Sequence, residues 1–253
     1  MSDPASKSAE QASRRLQRVR SRIEAACAAA GRSSLSVQLL AVSKTFEAER
    51  VLELAGLGQR AFAENYLQEA LDKIAACTAA GVSLEWHFIG PVQSNKTRPI
   101  AESFGWVHSV DREKIGRRLD EQRPESLPPL DICLQVNVSG EDSKSGCPMA
   151  EAVDLALRLA SLKRVRLRGL MTIPAPGPEA LARDRPFETL RDLAQTIRAR
   201  LEEEQPDRAS HFDALSMGMS DDLEPAIAAG ATIVRVGTAL FGQRDPENVR
   251  PSP

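Results

Sequence analysis

Eight short segments with strand-like apolar patterns alternate with helical segments along most of this chain. Strands that alternate with helices form parallel sheets, because each helix returns the chain to the edge where the next strand begins. Eight such units in 253 residues match the size of a single barrel of this type, which has roughly 250 residues. The sequence therefore predicts an α/β fold, a TIM-type (β/α)8 barrel. Its strand segments are predicted at 37–43, 61–64, 84–89, 106–109, 131–138, 166–171, 212–216 and 232–236.

A helical segment precedes the first strand segment and adds one element to the barrel. Apolar residues recur at three- and four-residue spacing between Gln11 and Ala30, which is typical of an amphipathic helix. We predict a flexible N-terminus at 1–10, the barrel domain at 11–244 and a flexible tail at 245–253. A doubly wound sheet is the alternative, but no Gly-x-Gly-x-x-Gly motif follows the first strand segment.

The composition limits the partners that this chain attracts. A formal net charge of −2 argues against nucleic-acid or membrane binding driven by bulk charge. No run approaches the roughly 18 apolar residues of a membrane span, and the first residues lack a signal-peptide pattern. The 4 cysteines form no Cys-x-x-Cys pair, which is typical of thiols in a reducing cytoplasm. We therefore expect a cytoplasmic protein that binds no nucleic acid, membrane or metal, and we predict that it is a monomer.

The segment 39–45 places a lysine at the end of a buried strand. Side chains alternate along a strand, so Leu40, Val42 and Lys44 share one face. In α/β folds the carboxyl ends of the strands carry the chemistry. Partial desolvation lowers the pKa of a lysine there and prepares its amine for Schiff-base formation. The alternative is a lysine side chain that extends into solvent.

The loop after the seventh strand segment carries small and hydroxyl-bearing residues. Barrels often bind phosphate with the loops after strands seven and eight together with a helix N-terminus. Gly218 would let the backbone approach an anion, and Ser216 and Ser220 offer hydroxyls. Ser220 or Asp221 is expected to cap the next helix. The alternative is an ordinary strand-to-helix turn with a capped helix.

The eighth strand segment adds a second loop and an arginine. Gly237 and Thr238 supply amide donors and a hydroxyl. Arg235 shares a strand face with Ile233 and Gly237, which we predict to be the inward face. An arginine inside a barrel needs an acceptor. That acceptor is either a carboxylate of the protein or a heteroaromatic ring nitrogen of a ligand.

A lysine, an arginine and phosphate-binding loops on one rim suit pyridoxal 5′-phosphate (PLP). The lysine would form an aldimine with the aldehyde, the arginine would face the ring nitrogen and the loops would hold the phosphate. A phosphorylated-sugar aldolase would use the same lysine and loops. The residues by themselves leave both functions open.

Several longer motifs resemble those of the pyridoxal phosphate homeostasis protein family, whose fold is that of the N-terminal domain of alanine racemases. The match runs in order from about residue 37 to 244. It departs slightly at Ala63, where the family usually has Gly, and at Pro91-Val92, where Leu is common. The motifs are LAVSKT (40–45), ENY (64–66), WHFIG (86–90), QSNK (93–96), HSVD (108–111), GLM (169–171), SMGMS (216–220) and VRVGTALFG (234–242).

The resemblance implies a role for each candidate residue. Lys44 would carry PLP covalently as an internal aldimine, and Arg235 would face the pyridine nitrogen. His108 and His211 are interpreted as structural. The residues implied along the ring are Asn65, His87 and Met171. Those implied around the phosphate are Ser216, Gly218, Ser220, Gly237 and Thr238.

Two functions of different classes follow from the resemblance. A carrier would bind and release PLP without turnover, affect vitamin B6 and amino-acid and keto-acid balance, and supply PLP-dependent apoenzymes. A small amino-acid racemase would need a second acid/base across the ring from the lysine. Alanine racemases take it from a tyrosine of a carboxyl-terminal β-domain, whereas the one tyrosine here, Tyr66, lies on the barrel. An arginine at the ring nitrogen also weakens the ring as an electron sink, so we expect a non-catalytic carrier.

Overall fold

The structure is a computed structural model that describes residues 4–141, 144–175 and 185–243. Its strands within these residues are β1 (Gln38–Val42), β2 (Ala61–Glu64), β3 (Glu85–Phe88), β4 (Trp106–Val110), β5 (Leu130–Asn137), β6 (Cys147–Pro148), β7 (Val165–Met171), β8 (Ala214–Ser216) and β9 (Ile233–Val236). Its helices there are α1 (Pro4–Ala29), α2 (Ala48–Gly56), α3 (Leu67–Ala79), α4 (Thr97–Ser103), α5 (Glu113–Gln122), α6 (Met149–Ala160), α7 (Pro186–Glu204), α8 (Pro206–Ala209), α9 (Leu223–Ala228) and α10 (Thr238–Phe241).

Eight of these strands form a closed ring of parallel pairs. Around the ring the order is β4, β3, β2, β1, β9, β8, β7 and β5, and the pairing of β4 with β5 closes it. The two-residue strand β6 pairs with the carboxyl end of β5. The prediction of a (β/α)8 barrel is therefore confirmed. Because every pair in the ring is parallel, the carboxyl ends of all eight strands meet at one rim.

Alternate residues of the strands belong to two separate apolar clusters. Residues of one parity, such as Leu40, Ala63 and Ile233, pack together inside the ring. Residues of the other parity, such as Ala41 and Phe62, pack against the surrounding helices. Both faces of each strand are thus buried, which explains why the strand segments are nearly continuous apolar runs.

The helix α1 lies across the last β/α unit of the barrel. It packs against α9 and α10. Arg15 Nη1 donates a hydrogen bond to the Phe241 carbonyl at 3.1 Å, and Arg22 Nε lies 2.8 Å from Glu224 Oε1. The first helix of the chain is therefore fastened to the helices that follow β8 and β9.

The predicted N-terminal helix is confirmed, but it begins earlier than expected. It starts at Pro4 rather than at Gln11. The prediction relied on the apolar stripe, and that stripe marks the part of the helix that packs on the barrel, from the buried Ala12 onward. The predicted tail at 245–253 lies outside the described residues, and the domain boundaries stay predictions.

One strand boundary differs from the predicted one because a turn occupies the expected end. The strand β8 begins at Ala214 rather than at 212, since Phe212 N–H bonds the Ala209 carbonyl. Over the three described ranges, no helix has both the length and the apolar character needed to cross a membrane.

Candidate functional site

A cavity of about 250 Å³ opens at the carboxyl rim of the barrel. Its wall combines the ends of β1, β7 and β9 with residues that follow β2, β3 and β8. The cavity therefore joins strands that are far apart in sequence. The residues that line it are Val42, Lys44, Asn65, Ile89, Met171, Ile173, Met219, Ser220, Asp221, Arg235, Gly237 and Thr238.

Most of the predicted binding residues meet at this cavity, and three do not. His87, Ser216 and Gly218 are absent from its wall. Five further residues line it although no binding role was predicted for them, namely Val42, Ile89, Ile173, Met219 and Asp221. The predicted residues that do line it are Lys44, Asn65, Met171, Ser220, Arg235, Gly237 and Thr238.

Lys44 reaches the cavity because it continues the inward face of β1. Leu40 and Val42, which precede it by four and two residues, belong to the apolar cluster inside the ring. Beyond Val42 the strand ends and the next inward side chain is that of Lys44, which is half-buried and lines the cavity. This position supports the strand-end prediction over a side chain that extends into solvent.

A buried ion-pair network holds the end of β1 from its outer side. Lys73 Nζ on α3 donates to Glu64 Oε1 at 2.7 Å, to Glu69 Oε1 at 2.5 Å and to the Ser43 carbonyl at 2.7 Å. The Ser43 hydroxyl donates to the same Glu64 oxygen at 2.6 Å. Thr45 follows in the left-handed region with φ 69°, its N–H on Glu69 Oε1. The residues on both sides of the rim lysine are therefore fixed.

The Lys73 network escaped the sequence analysis, although the sequence contains a signal for it. Ala70, Lys73 and Cys77 are spaced by three and four residues and are the buried residues of α3. A lysine within such an apolar stripe indicates a buried cation that needs acceptors. Burial raises the pKa of Glu64 to about 7, while the ammonium of Lys73 opposes that rise.

Arg235 lies inside the ring, as predicted, and its acceptors are carbonyl and hydroxyl oxygens. Nη1 donates to the Ser216 carbonyl at 2.6 Å and to the Ser216 hydroxyl at 2.9 Å, and Nη2 donates to the Thr172 carbonyl at 2.9 Å. In the described part of the chain no carboxylate forms an ion pair with it, so the expected structural alternative is not found there. Burial lowers the pKa of its guanidinium to about 10. The group thus stays charged at neutral pH.

Gly218 shapes the loop after β8 without lining the cavity. Its φ is +92°, and an added Cβ would lie 2.6 Å from the Ala226 Cβ on α9, so a side chain would be strained and would clash. The prediction that Ser220 or Asp221 caps the next helix is wrong. The N-cap residue is Asp222, which accepts the Met219 N–H. Ser220 and Asp221 are consequently left at the cavity wall.

His87 and Ser216 lie deeper in the barrel than the prediction required. His87 precedes the cavity residue Ile89 by two positions on the same inward face. It is fully buried, stacks on Trp106 at 5.4 Å between ring centroids and lies 2.9 Å from His108. Ser216 is fully buried beneath Arg235. Neither side chain lies at the cavity wall, because each occupies the next layer of the interior.

The cavity combines an amine, a guanidinium, apolar side chains and uncharged groups that can donate hydrogen bonds to an anion. Lys44 and Arg235 supply the cations, and Val42, Ile89 and Met171 give walls that suit a flat ring. The hydroxyl and amide donors are Ser220, Gly237 and Thr238. No group of three metal-ligating side chains occurs within the described ranges. This set of groups fits a phosphorylated aromatic aldehyde with a ring nitrogen.

Comparison with known proteins first defines the class. The family model of the alanine racemase N-terminal domain matches residues 15–245, which is most of the barrel. The chain is 56% identical to a protein of Pseudomonas aeruginosa, over 91% of this chain and 94% of that one. It is 52% identical to a protein of Escherichia coli K12, over 91% of this chain and 95% of that one. Both relatives are named pyridoxal phosphate homeostasis protein. The chain belongs to the pyridoxal phosphate homeostasis protein family.

A solved structure agrees with this assignment. PipY of Synechococcus elongatus PCC7942, solved with PLP bound, superimposes with a TM-score of 0.76 at 37% identity. The superposition covers 91% of this chain and all (100%) of that one. The predicted family resemblance is therefore confirmed by sequence and by fold.

Proposed function

We propose that this protein binds PLP in the rim cavity through a Schiff base at Lys44. The observation that carries the proposal is the convergence of Lys44, Arg235 and Thr238 on one cavity. The name of the close relatives and the PLP-bound PipY structure support it. The reaction joins Nζ of Lys44 to the aldehyde carbon and releases water.

Each group at the cavity has a distinct part in this proposal. Arg235 donates to the pyridine nitrogen through N–H groups that are not used in its hydrogen bonds to the described protein acceptors. Because the pKa of its guanidinium is about 10, the arginine keeps its proton and the pyridine nitrogen stays unprotonated. Val42, Ile89 and Met171 exclude water from the ring. Ser220, Gly237 and Thr238 hold the phosphate with hydroxyls and amides. When bound, PLP supplies the electrophilic aldehyde.

We further propose that the protein is a carrier that takes part in vitamin B6 homeostasis and does not turn over amino acids. Racemisation requires a second acid/base opposite the lysine. Tyr66, the one tyrosine of the chain, lines a neighbouring cavity with Gln93 and Lys96 and does not line the Lys44 cavity in the described part. An unprotonated ring nitrogen also stabilises a carbanion poorly. PLP-dependent apoenzymes are the proposed recipients.

One residue favours the racemase alternative. Asp221 is exposed and lines the Lys44 cavity, so it offers a carboxylate that can accept a proton from a bound amino acid. It lies beside the proposed phosphate donor Ser220, which argues for a place near the phosphate rather than over the reacting carbon. The two functions separate by measurement of turnover.

The test is a racemisation assay on the PLP-loaded protein with alanine and other amino acids. We expect turnover to stay below about 1 s⁻¹, the low end of ordinary enzyme rates. We also expect the PLP-loaded protein to restore the activity of a PLP-dependent apoenzyme when the two are mixed. The Asp221→Asn variant is the matched control, and it should behave like the unchanged protein in both assays. Turnover at about 1 s⁻¹ or faster that is lost in Asp221→Asn would establish the racemase instead.

A further inference from the structure

A chain of close polar contacts runs through the barrel interior from the cavity to the opposite face. Arg235 Nη1 lies 2.9 Å from the Ser216 hydroxyl, which lies 2.8 Å from His108 Nδ1. His108 Nε2 lies 2.9 Å from His87 Nδ1. His87 Nε2 faces Glu85 Oε2 at 3.5 Å. Four successive contacts thus connect the rim arginine to a carboxylate at the N-terminal end of β3.

The chain is buried in its middle and accessible at its ends. Ser216, His108 and His87 are each 0% exposed, so water does not compete for their hydrogen bonds. Arg235 lines the cavity. The Glu85 side chain is 42% exposed and accepts hydrogen bonds from Trp106 Nε1 at 3.0 Å and from Gln38 Nε2 at 2.9 Å. Because Glu85 is exposed and faces these two donors, its carboxylate is the acceptor at the far end of the contacts.

The chemistry of the members fixes the direction of the hydrogen bonds. Arginine only donates, so the Ser216 oxygen accepts from Arg235 and its own hydrogen is available to His108 Nδ1. His108 is neutral, because burial and the nearby His87 and Arg235 lower its pKa. With Nδ1 accepting the Ser216 hydrogen, its single proton is on Nε2 and is donated to His87 Nδ1. Burial also lowers the pKa of His87. Its proton is then on Nε2 and faces the carboxylate of Glu85.

The opposite direction is unfavourable at both ends. It would turn the lone pair of His87 Nε2 toward the Glu85 carboxylate. It would also make the Ser216 oxygen accept from both Arg235 and His108, which leaves the buried hydroxyl hydrogen without an acceptor among the described contacts. One order of donors therefore fits all four contacts, although the last of them, from His87 Nε2 to Glu85 at 3.5 Å, is longer than a hydrogen bond. This order ends on the only negatively charged member.

We propose that Ser216, His108, His87 and Glu85 are positioning residues that orient the Arg235 guanidinium toward the cavity. The inference rests on the proposed function, in which Arg235 bonds the pyridine nitrogen of PLP. None of the four touches the cavity wall, so each acts through its neighbour. A substitution of the exposed Glu85 is therefore expected to change PLP affinity at the opposite end of the barrel.

The first arm of the test determines the ring tautomers directly. The protein has 3 histidines, so ¹⁵N-labelled histidine gives three sets of ring signals. The His211→Asn variant removes the set of the one histidine that is not part of the contacts between Arg235 and Glu85. We expect His87 and His108 to be neutral at pH 7 with the proton on Nε2. A proton on Nδ1 of either ring would overturn the inferred order, whether or not PLP is bound.

The second arm is a double-mutant cycle on PLP affinity. Ser216→Ala removes the hydroxyl and leaves the Ser216 carbonyl that also binds Arg235. We expect PLP affinity to fall by about three- to tenfold, which corresponds to the loss of one hydrogen bond. In an Arg235→Gln background the same change should cost less than twofold, because a positioning residue acts only through its arginine. The His211→Asn control should bind PLP normally. Equal losses in both backgrounds would mean that Ser216 is merely structural.

Glu85→Gln provides a readout at the exposed end of these contacts, because the amide keeps the size of the side chain and one oxygen that can accept from Trp106 or Gln38. We expect a loss of PLP affinity of about two- to fivefold and a shift of the His87 ring signals. Unchanged affinity would overturn the claim that the chain extends to β3. If Arg235→Gln by itself leaves affinity unchanged while both tautomers are as inferred, the proposed function of Arg235 fails and the order of the chain stands.

Discussion

Arg235 illustrates how the barrel accommodates a buried cation. The residue is 3% exposed, and its guanidinium donates to oxygens at the ends of β7 and β8, those of Thr172 and Ser216. Neutral acceptors orient the group without cancelling its charge. A charged donor aimed at the cavity is therefore available to a ligand acceptor, which is the basis of its proposed role.

We predict that Arg235→Gln weakens PLP affinity by about ten- to a hundredfold. A hydrogen bond to a charged group is worth about 1.5–3 kcal/mol, and each 1.36 kcal/mol is about a factor of ten. The apo form should melt normally, because Arg235 forms no ion pair among the described residues, and the buried Asp222, which attracts it, keeps its hydrogen bond from the Met219 N–H. Affinity by spectral titration and apo melting by circular dichroism are measured together. The control is Arg98→Gln, at an arginine whose side chain is 66% exposed.

Two outcomes would contradict this role of Arg235. A collapsed apo protein would make the arginine structural, and unchanged affinity would remove it from the binding site. A normal apo melting temperature with weakened binding is the result that agrees with a donor to the ring nitrogen.

Alternation along the strands predicted which site residues face inward but not how deep they lie. Arg235 and Lys44 are both inward and both reach the cavity. His87 is inward as well, yet it occupies the layer beneath Ile89. Depth depends on the stagger between strands around the ring, and a period of two carries no information about stagger. The sequence therefore predicted the rim residues better than the layer below them.

At the scale of elements, α3 stabilises the end of β1. Lys73 and Glu64 are 4% and 0% exposed, and the three hydrogens of the ammonium are matched by three acceptors. Removal of one partner of such a buried pair leaves an uncompensated charge, which costs about 3–5 kcal/mol. The stability of the turn that presents Lys44 therefore depends on this network.

We predict that Lys73→Met lowers the free energy of unfolding of the apo protein by about 3–5 kcal/mol at pH 8. The loss should be smaller at pH 5. Without the ammonium the folded-state pKa of Glu64 rises above its already raised value of about 7. A carboxyl whose folded-state pKa is raised above its unfolded value binds protons more tightly when folded, so stability falls as pH rises between those two values.

Urea unfolding at both pH values measures the effect, with Lys163→Met at an exposed lysine as the matched control. The control should change stability by less than about 0.5 kcal/mol. An equal loss at pH 5 and pH 8 would show that Glu64 is not the stranded charge.

The sequence predicted α3 but not the burial of its lysine. The stripe of Ala70, Lys73 and Cys77 was visible, but a lysine beside apolar residues usually extends its amine to solvent. Whether it does so here depends on how α3 packs on β2. The short strand β6 was missed for a different reason, since two residues carry no periodicity.

At the scale of the molecule, ring closure creates the site. The cavity draws on residues from Val42 to Thr238, and β1 pairs with β9 so that Leu40 lies in register with Arg235. The alternation of eight strand segments was sufficient to predict this closure, because length and pattern fit one barrel. The packing of α1 over α9 and α10 depends on surface contacts that the sequence pattern does not encode.

Attachment of PLP to Lys44 is tested most directly by borohydride reduction of the PLP-loaded protein followed by peptide mapping. Reduction converts the Schiff base to a stable secondary amine on the lysine that carries the cofactor. We predict the adduct on Lys44, and a Lys44→Ala variant that retains no adduct at the rim. An adduct found only on Lys96 or Lys144, with Lys44 unmodified, would show that Lys44 does not carry PLP.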